Sequence, residues 1–148
     1  MNINVKTSIQ TDHKLIDVFN LFNKEMFYEL TKNAPVKPLR YDGDFIGAEI
    51  HLLMLFPWKD NWVSIITEKS ESETVCFFVD QGKKLPFNLI EWRHTHIIRK
   101  TDKGIIIEDE IDFKSTNMFF DRFWYFSFLP QFLLRKGQYK RYIKKKLL

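Results

Sequence analysis

The chain is poor in the residues that would announce a specialised chemistry. Cys76 is the single cysteine among 148 residues, which excludes an intramolecular disulfide, a zinc ribbon and a Cys-x-x-Cys redox site. The five glycines are scattered at 43, 47, 82, 104 and 137. No glycine-rich loop cradles a phosphate, and neither a nucleophile elbow nor an acidic cluster for divalent cations is present. No run reaches the roughly 18 uncharged apolar residues of a membrane-spanning helix; the densest segment, 118–134, is broken by Asp121, Arg122 and Pro130. The stretch Met1–Lys6 lacks the apolar core of a leader peptide and reads as a mature N-terminus. With so little cysteine, a reducing cytoplasm is the expected compartment. Repeats, linkers and low-complexity stretches are missing as well, so one domain over 1–148 is expected.

What the chain has in excess is aromatic rings: 15 Phe, 5 Tyr and 4 Trp. Rings of this size either fill a core with few side chains or line a cavity wide enough for a guest. Charge is unevenly placed. Of the 23 cations, seven (Arg135, Lys136, Lys140, Arg141, Lys144, Lys145 and Lys146) fall in the last 14 residues without an acid, leaving 16 against 19 acids elsewhere. A mildly acidic body therefore ends in a basic segment. Such a segment suits an anionic membrane surface, or is simply a solvated helix face. Nucleic acid is a poor partner, because aromatics that alternate inward along strands are not free to stack on bases.

Residues 3–10 alternate, with Ile3, Val5, Thr7 and Ile9 on one side, and predict a half-buried strand. Thr11 is placed to cap a helix from Asp12, and Lys24–Thr31 predicts a second short helix before Asn33-Ala34-Pro35. Strands follow at about 45–56, 61–70, 73–81, 88–100 and 105–115, separated by turn residues, an antiparallel meander. Asp80 and Gln81 read as the end of the third of these. Pro130 is suited to the first turn of a C-terminal helix towards Lys146, after a buried aromatic segment at 118–129. The class is α+β, with one sheet face left for the last helix to cover.

The most informative run is Asn88–Lys100. Alternation gathers Trp92, His94, His96 and Ile98 on one face, and the next strand gathers Ile105, Ile107, Asp109 and Ile111. A two-residue loop within 101–104 sets His96 opposite Asp109 or diagonal to it, within reach either way. An inward Asp109 among isoleucines needs a partner, and His96 is the obvious one. Three readings stay open: a mutually satisfied buried pair, a polar anchor in an apolar pocket, or an acid–base or metal site. No third strong ligand stands beside the His-x-His pair, so no metal or cofactor is expected. Glu49 and His51 alternate outward, and the carboxylates Glu108, Glu110 and Asp112 are expected to face water.

The run Phe78-Val-Asp-Gln-Gly, Leu85-Pro-Phe, Trp92-x-His94-x-His96, Gly104 and Asp109-Glu-Ile resembles bacterial members of the SRPBCC superfamily, and Phe132–Tyr142 resembles the end of that superfamily's long helix. It is the helix-grip fold of START lipid-transfer domains, the major birch-pollen allergen and polyketide cyclases. The resemblance implies a curved antiparallel sheet of about seven strands around a long C-terminal helix, two short helices after the first strand, and a cavity between. The meander and first strand supply six, so the seventh is expected inside 38–56 or within a strand drawn too long. On this reading the protein binds a small apolar or amphipathic molecule without catalysis, in a pocket lined by Trp92, His94, His96, Ile107, Asp109, Phe119, Phe123, Phe126 and Phe132. The alternatives are a cyclase or hydro-lyase with His96 and Asp109 as acid–base pair, and a peripheral membrane or interaction protein led by the basic helix.

Overall fold

The computed structural model describes residues 1–147; Leu148, the last residue of the expected domain, lies outside them. The elements in chain order are β1 (Asn2–Gln10), α1 (Leu15–Phe19), α2 (Lys24–Thr31), β2 (Val36–Tyr41), β3 (Glu49–Met54), β4 (Asp60–Glu71), β5 (Val75–Lys84), β6 (Leu89–Lys100), β7 (Gly104–Ser115) and α3 (Met118–Leu147). The seven strands form one antiparallel sheet in the order β1-β7-β6-β5-β4-β3-β2, curled into a half-barrel against α3.

The seventh strand is β2, which starts two residues before the expected window. It carries Pro38, which cannot donate to a ladder, and β2 accordingly lies at the sheet edge with β3 as its single neighbour. Four further expectations are corrected. The first helix starts at Leu15, not Asp12: the Thr11 hydroxyl accepts from the His13 amide at 3.1 Å, closing a turn in place of a cap. The third meander strand runs on to Lys84, so Asp80 and Gln81 are inside it and serve no turn. Glu108 is buried at 6% exposure, tolerated because Lys6 and Arg99 reach it from β1 and β6 at 3.4 and 3.8 Å.

The fourth correction concerns α3, which begins at Met118 and contains Pro130 in its interior. Asn117 starts it, accepting the Phe120 amide at 3.0 Å. Asp121 in the first turn accepts both the amide and the hydroxyl of Ser115, at 2.6 and 2.7 Å, riveting the helix start to the end of β7. Proline at 130 removes an amide and crowds the preceding turn; beside it the Gln131 side chain donates to the Ser127 carbonyl at 2.9 Å. No helix among the described residues is long and apolar enough to cross a membrane.

The apolar side chains form two clusters. One joins α1 and α2 to Phe78, Ile98, Ile107 and Tyr139. The other joins β1 to Trp92, Ile111, Trp124, Phe128 and Phe132. Along β6, β7 and α3 the clusters meet where the chain becomes polar: at His94 and His96, at Asp109, and at Arg135.

Candidate functional site

Strand register builds the site. Asp80 of β5 faces His94 of β6, and His96 faces Asp109 of β7, all four on the helix-covered face of the sheet. The hydrogen bonds run along the diagonals. His96 Nε2 donates to Asp80 Oδ2 at 2.9 Å, and His94 Nε2 donates to Asp109 Oδ1 at 2.8 Å. The expected His96–Asp109 pairing is thus replaced by a crossed arrangement; His96 Nδ1 stands 3.6 Å from Asp109 Oδ1. The two imidazoles lie against each other with centroids 3.6 Å apart. His96 also stacks on Phe78 at 4.3 Å, which fixes its plane.

Each carboxylate has further holders. Trp92 Nε1 donates to Asp80 Oδ1 at 2.9 Å. Asp109, 1% exposed, receives the Tyr139 hydroxyl at 3.0 Å and lies 3.5 Å from Arg135 Nη1. Arg135 itself lies 4.5 Å over the Phe132 ring. Tyr139 and Arg135 are one turn apart on α3, so one helix face supplies both.

These contacts decide the protonation pattern. Burial alone would raise the Asp80 carboxyl; the bond from His96, the charges of both imidazoles and the Trp92 donor hold it below the usual range instead. Burial also opposes ionisation of Asp109, and the bond from His94 with the Arg135 charge overrides it, again lowering the pKa. His94 is pushed down to about 4, first by burial and then by neighbouring His96, against the pull of Asp109. At neutral pH His94 is therefore a neutral ring between two carboxylates. Burial would lower Arg135, but Tyr139 and Asp109 hold it raised.

The polar group forms one wall of a cavity of about 270 Å³ between α2, the sheet and α3. Asp80, His94, His96 and Arg135 reach its surface, and most of the remainder is apolar, including Leu30, Ile50, Leu52, Trp62, Trp92, Phe128 and Phe132. Of the residues expected to line a pocket, Trp92, His94, His96 and Phe132 are on this wall. Ile107 is core behind it, and Asp109 is shielded from it by His94, Tyr139 and Arg135. Asp109 therefore holds an imidazole and does not reach the cavity surface. Phe123 packs against the second apolar cluster away from the cavity. Phe119 and Phe126 point outward, 73% and 69% exposed. The aromatic segment is helical with rings on both sides, and its buried side carries Trp124, Phe128 and Phe132 instead.

Sequence reasoning passed over Asp80 and Arg135. Asp80 has the parity of the buried Cys76 and Phe78 on β5, a signal obscured by treating an acid near a strand end as turn material. Arg135 is the first of the terminal cations and was grouped with solvated lysines, although it falls three residues after Phe132 on the inner face.

No family model and no curated protein matches the chain. Solved structures do. A Mesorhizobium loti protein superposes with a TM-score of 0.62 at 11% identity, covering 98% of both chains. Norcoclaurine synthase from Thalictrum flavum, in complex with dopamine and hydroxybenzaldehyde, gives 0.64 at 8% identity over 98% of this chain and 88% of its own. Ara h 8.0201 gives 0.54 at 10% identity over 94% and 98%. The fold shared with them is the helix grip, a curled seven-stranded antiparallel sheet closed by a long C-terminal helix. At these identities the likeness is one of fold.

Proposed function

We propose that this helix-grip protein binds a small molecule with an apolar body and one polar group, the polar group set against the His94–His96–Arg135 wall. The carrying observation is the cavity itself, apolar on most sides with a cluster of charged and imidazole side chains on one. Its volume of about 270 Å³ is at the lower end of ligand pockets, roughly 300–1,000 Å³. That size favours a single ring system or one short chain over a two-chain lipid. The small aromatic molecules held by norcoclaurine synthase are of this class.

Native mass spectrometry of freshly purified protein is expected to reveal a co-purifying small molecule. A cavity-filling Leu52→Trp variant should abolish that adduct and weaken binding of an apolar fluorescent probe at least tenfold. Undiminished probe binding in the folded variant would place the guest elsewhere and end this reading.

A second reading rests on the outer face of α3. Phe119, Phe126, Leu133 and Lys140 follow at seven-residue intervals and are all exposed, beside Lys136, Lys144 and Lys145. An apolar line ending in lysines suits the surface of an anionic bilayer. Co-sedimentation with anionic vesicles that is lost in Phe126→Ser and on truncation from Lys144 would support it. Sedimentation unchanged by both would dismiss it.

A further inference from the structure

We propose that Asp80, His94 and His96 form a binding site for a divalent first-row transition-metal ion of the zinc type, with a fourth coordination position open to the cavity. The site borders the cavity of the proposed function but does not depend on that reading.

Asp80, His94 and His96 each offer one donor atom, and the three lie within 4.8 Å of one another. The distances from Asp80 Oδ2 are 3.5 Å to His94 Nδ1 and 2.9 Å to His96 Nε2. A tetrahedral zinc ion with ligand bonds of about 2.0–2.2 Å keeps its donors a little over 3 Å apart, so small side-chain adjustments suffice. Two imidazoles and a carboxylate are a set that zinc and neighbouring ions accept, leaving positions for water or a guest.

For two of the three ligands, Asp80 and His94, the remaining polar atom is turned to a partner that would orient it. Trp92 Nε1 holds the second oxygen of Asp80 at 2.9 Å. Asp109 holds His94 Nε2 at 2.8 Å. An ionised carboxylate accepts only, so Nε2 carries the hydrogen, and the neutral ring presents a bare Nδ1 lone pair to Asp80. This is the carboxylate–histidine–metal relay by which outer partners fix tautomer and ring plane. Asp109 is itself secured by Tyr139 at 3.0 Å and Arg135 at 3.5 Å.

The decisive detail is His96. Its Nε2 spends its hydrogen on Asp80, and its Nδ1 is buried with no hydrogen-bond partner among the described residues. A buried unpaired ring nitrogen is costly. Placing a cation between Asp80 and His96 Nε2 moves the hydrogen to Nδ1, which then faces Asp109 Oδ1, now 3.6 Å away. Asp109 would then brace both imidazoles, and the orphaned atom would be satisfied. Trp62, Phe128 and Phe132 nearby keep the surroundings apolar, as suits a charged site shielded from bulk water.

The test is a Co²⁺ titration of full-length protein freed of metal with EDTA, read by visible d–d absorption, followed by displacement with Zn²⁺. One ion per chain in a low-symmetry four- or five-coordinate environment is expected. His94→Ala and Asp80→Ala should weaken binding at least about 100-fold, and Asp109→Asn by about 10–100-fold, the range for loss of an outer partner. His51→Ala, which removes the imidazole of the surface Glu49 pair, should leave the affinity unchanged. Circular dichroism in EDTA checks folding, and if His94→Ala unfolds, His96→Gln takes its place in the comparison. Absence of a stoichiometric cobalt spectrum, or an affinity indifferent to Asp80 and the chosen histidine, would overturn the proposal and leave the cluster as a proton-bearing network. Neither result bears on whether the cavity holds a guest, because no guest is present in the titration.

Discussion

Replacing Tyr139 with Phe removes one oxygen and its hydrogen from a position with no solvent exposure, leaving the ring and its packing in place. That hydroxyl donates to Asp109, with its oxygen 3.0 and 3.2 Å from the two carboxylate oxygens. Asp109 keeps His94 at 2.8 Å and Arg135 at 3.5 Å, so its charge is not abandoned. The loss is that of one hydrogen bond to a buried charge, about 1.5–3 kcal/mol. Urea denaturation in EDTA, which removes any contribution from bound metal, is the assay. For a slope of roughly 2 kcal/mol per molar urea, the midpoint should fall by about 1 M with the slope unchanged. A double-mutant cycle with Asp109→Asn should return a coupling of about 1 kcal/mol or more. A loss below about 0.5 kcal/mol, the scale of an indifferent surface change, would refute the reasoning. It would mean that His94 and Arg135 satisfy Asp109 unaided and that Tyr139 is there for its ring.

Asp121→Asn should destabilise the protein by about 1 kcal/mol at neutral pH, because its carboxylate bonds the amide and hydroxyl of Ser115. Those bonds from Ser115 lower its pKa in the fold. The stabilisation is therefore complete above the unfolded value of about 3.9 and is lost as the pH falls through the lower folded one. Wild type and variant should converge in stability on acidification below about pH 4; a constant gap down to pH 2 would exclude this account. Gly104→Ala should cost about 1–3 kcal/mol or more, since a Cβ there would collide with the Ile9 carbonyl oxygen, backbone that cannot step aside. A thermal midpoint equal to wild type would show that the β1–β7 end reshapes freely. Trp92→Phe should also lower stability, by about 1–3 kcal/mol, by stripping Asp80 Oδ1 of its donor. Trp92→His, offering a ring N–H, should recover part of that loss if the donor is what matters.

What the sequence determined by itself was periodicity and its consequences. Alternation in Ile3–Ile9, in Trp92–Ile98 and in Ile105–Phe113 placed three strands and their inward faces, because a pleated strand sends alternate side chains to opposite sides whatever surrounds it. The same parity, with a short loop at 101–104, set His96 opposite Asp109 or diagonal to it, and the direct register is the one observed. Tertiary structure decided everything that parity leaves open. Which carboxylate each imidazole bonds depends on side-chain reach across three strands, and the diagonals won over the direct pair. Asp80 joined the site because β5 continues past it to Lys84, and the register of β5 on β6 sets Asp80 opposite His94. Phe119 and Phe126 faced outward because α3 begins at Met118, which sets the phase of the whole helix; a start at Pro130 would have left those rings unassigned. Arg135 left the solvated tail for the same reason, its angle on α3 turning it towards Asp109. Local pattern prescribes which way a residue points from its own element, whereas a binding site is made where several elements point at one another.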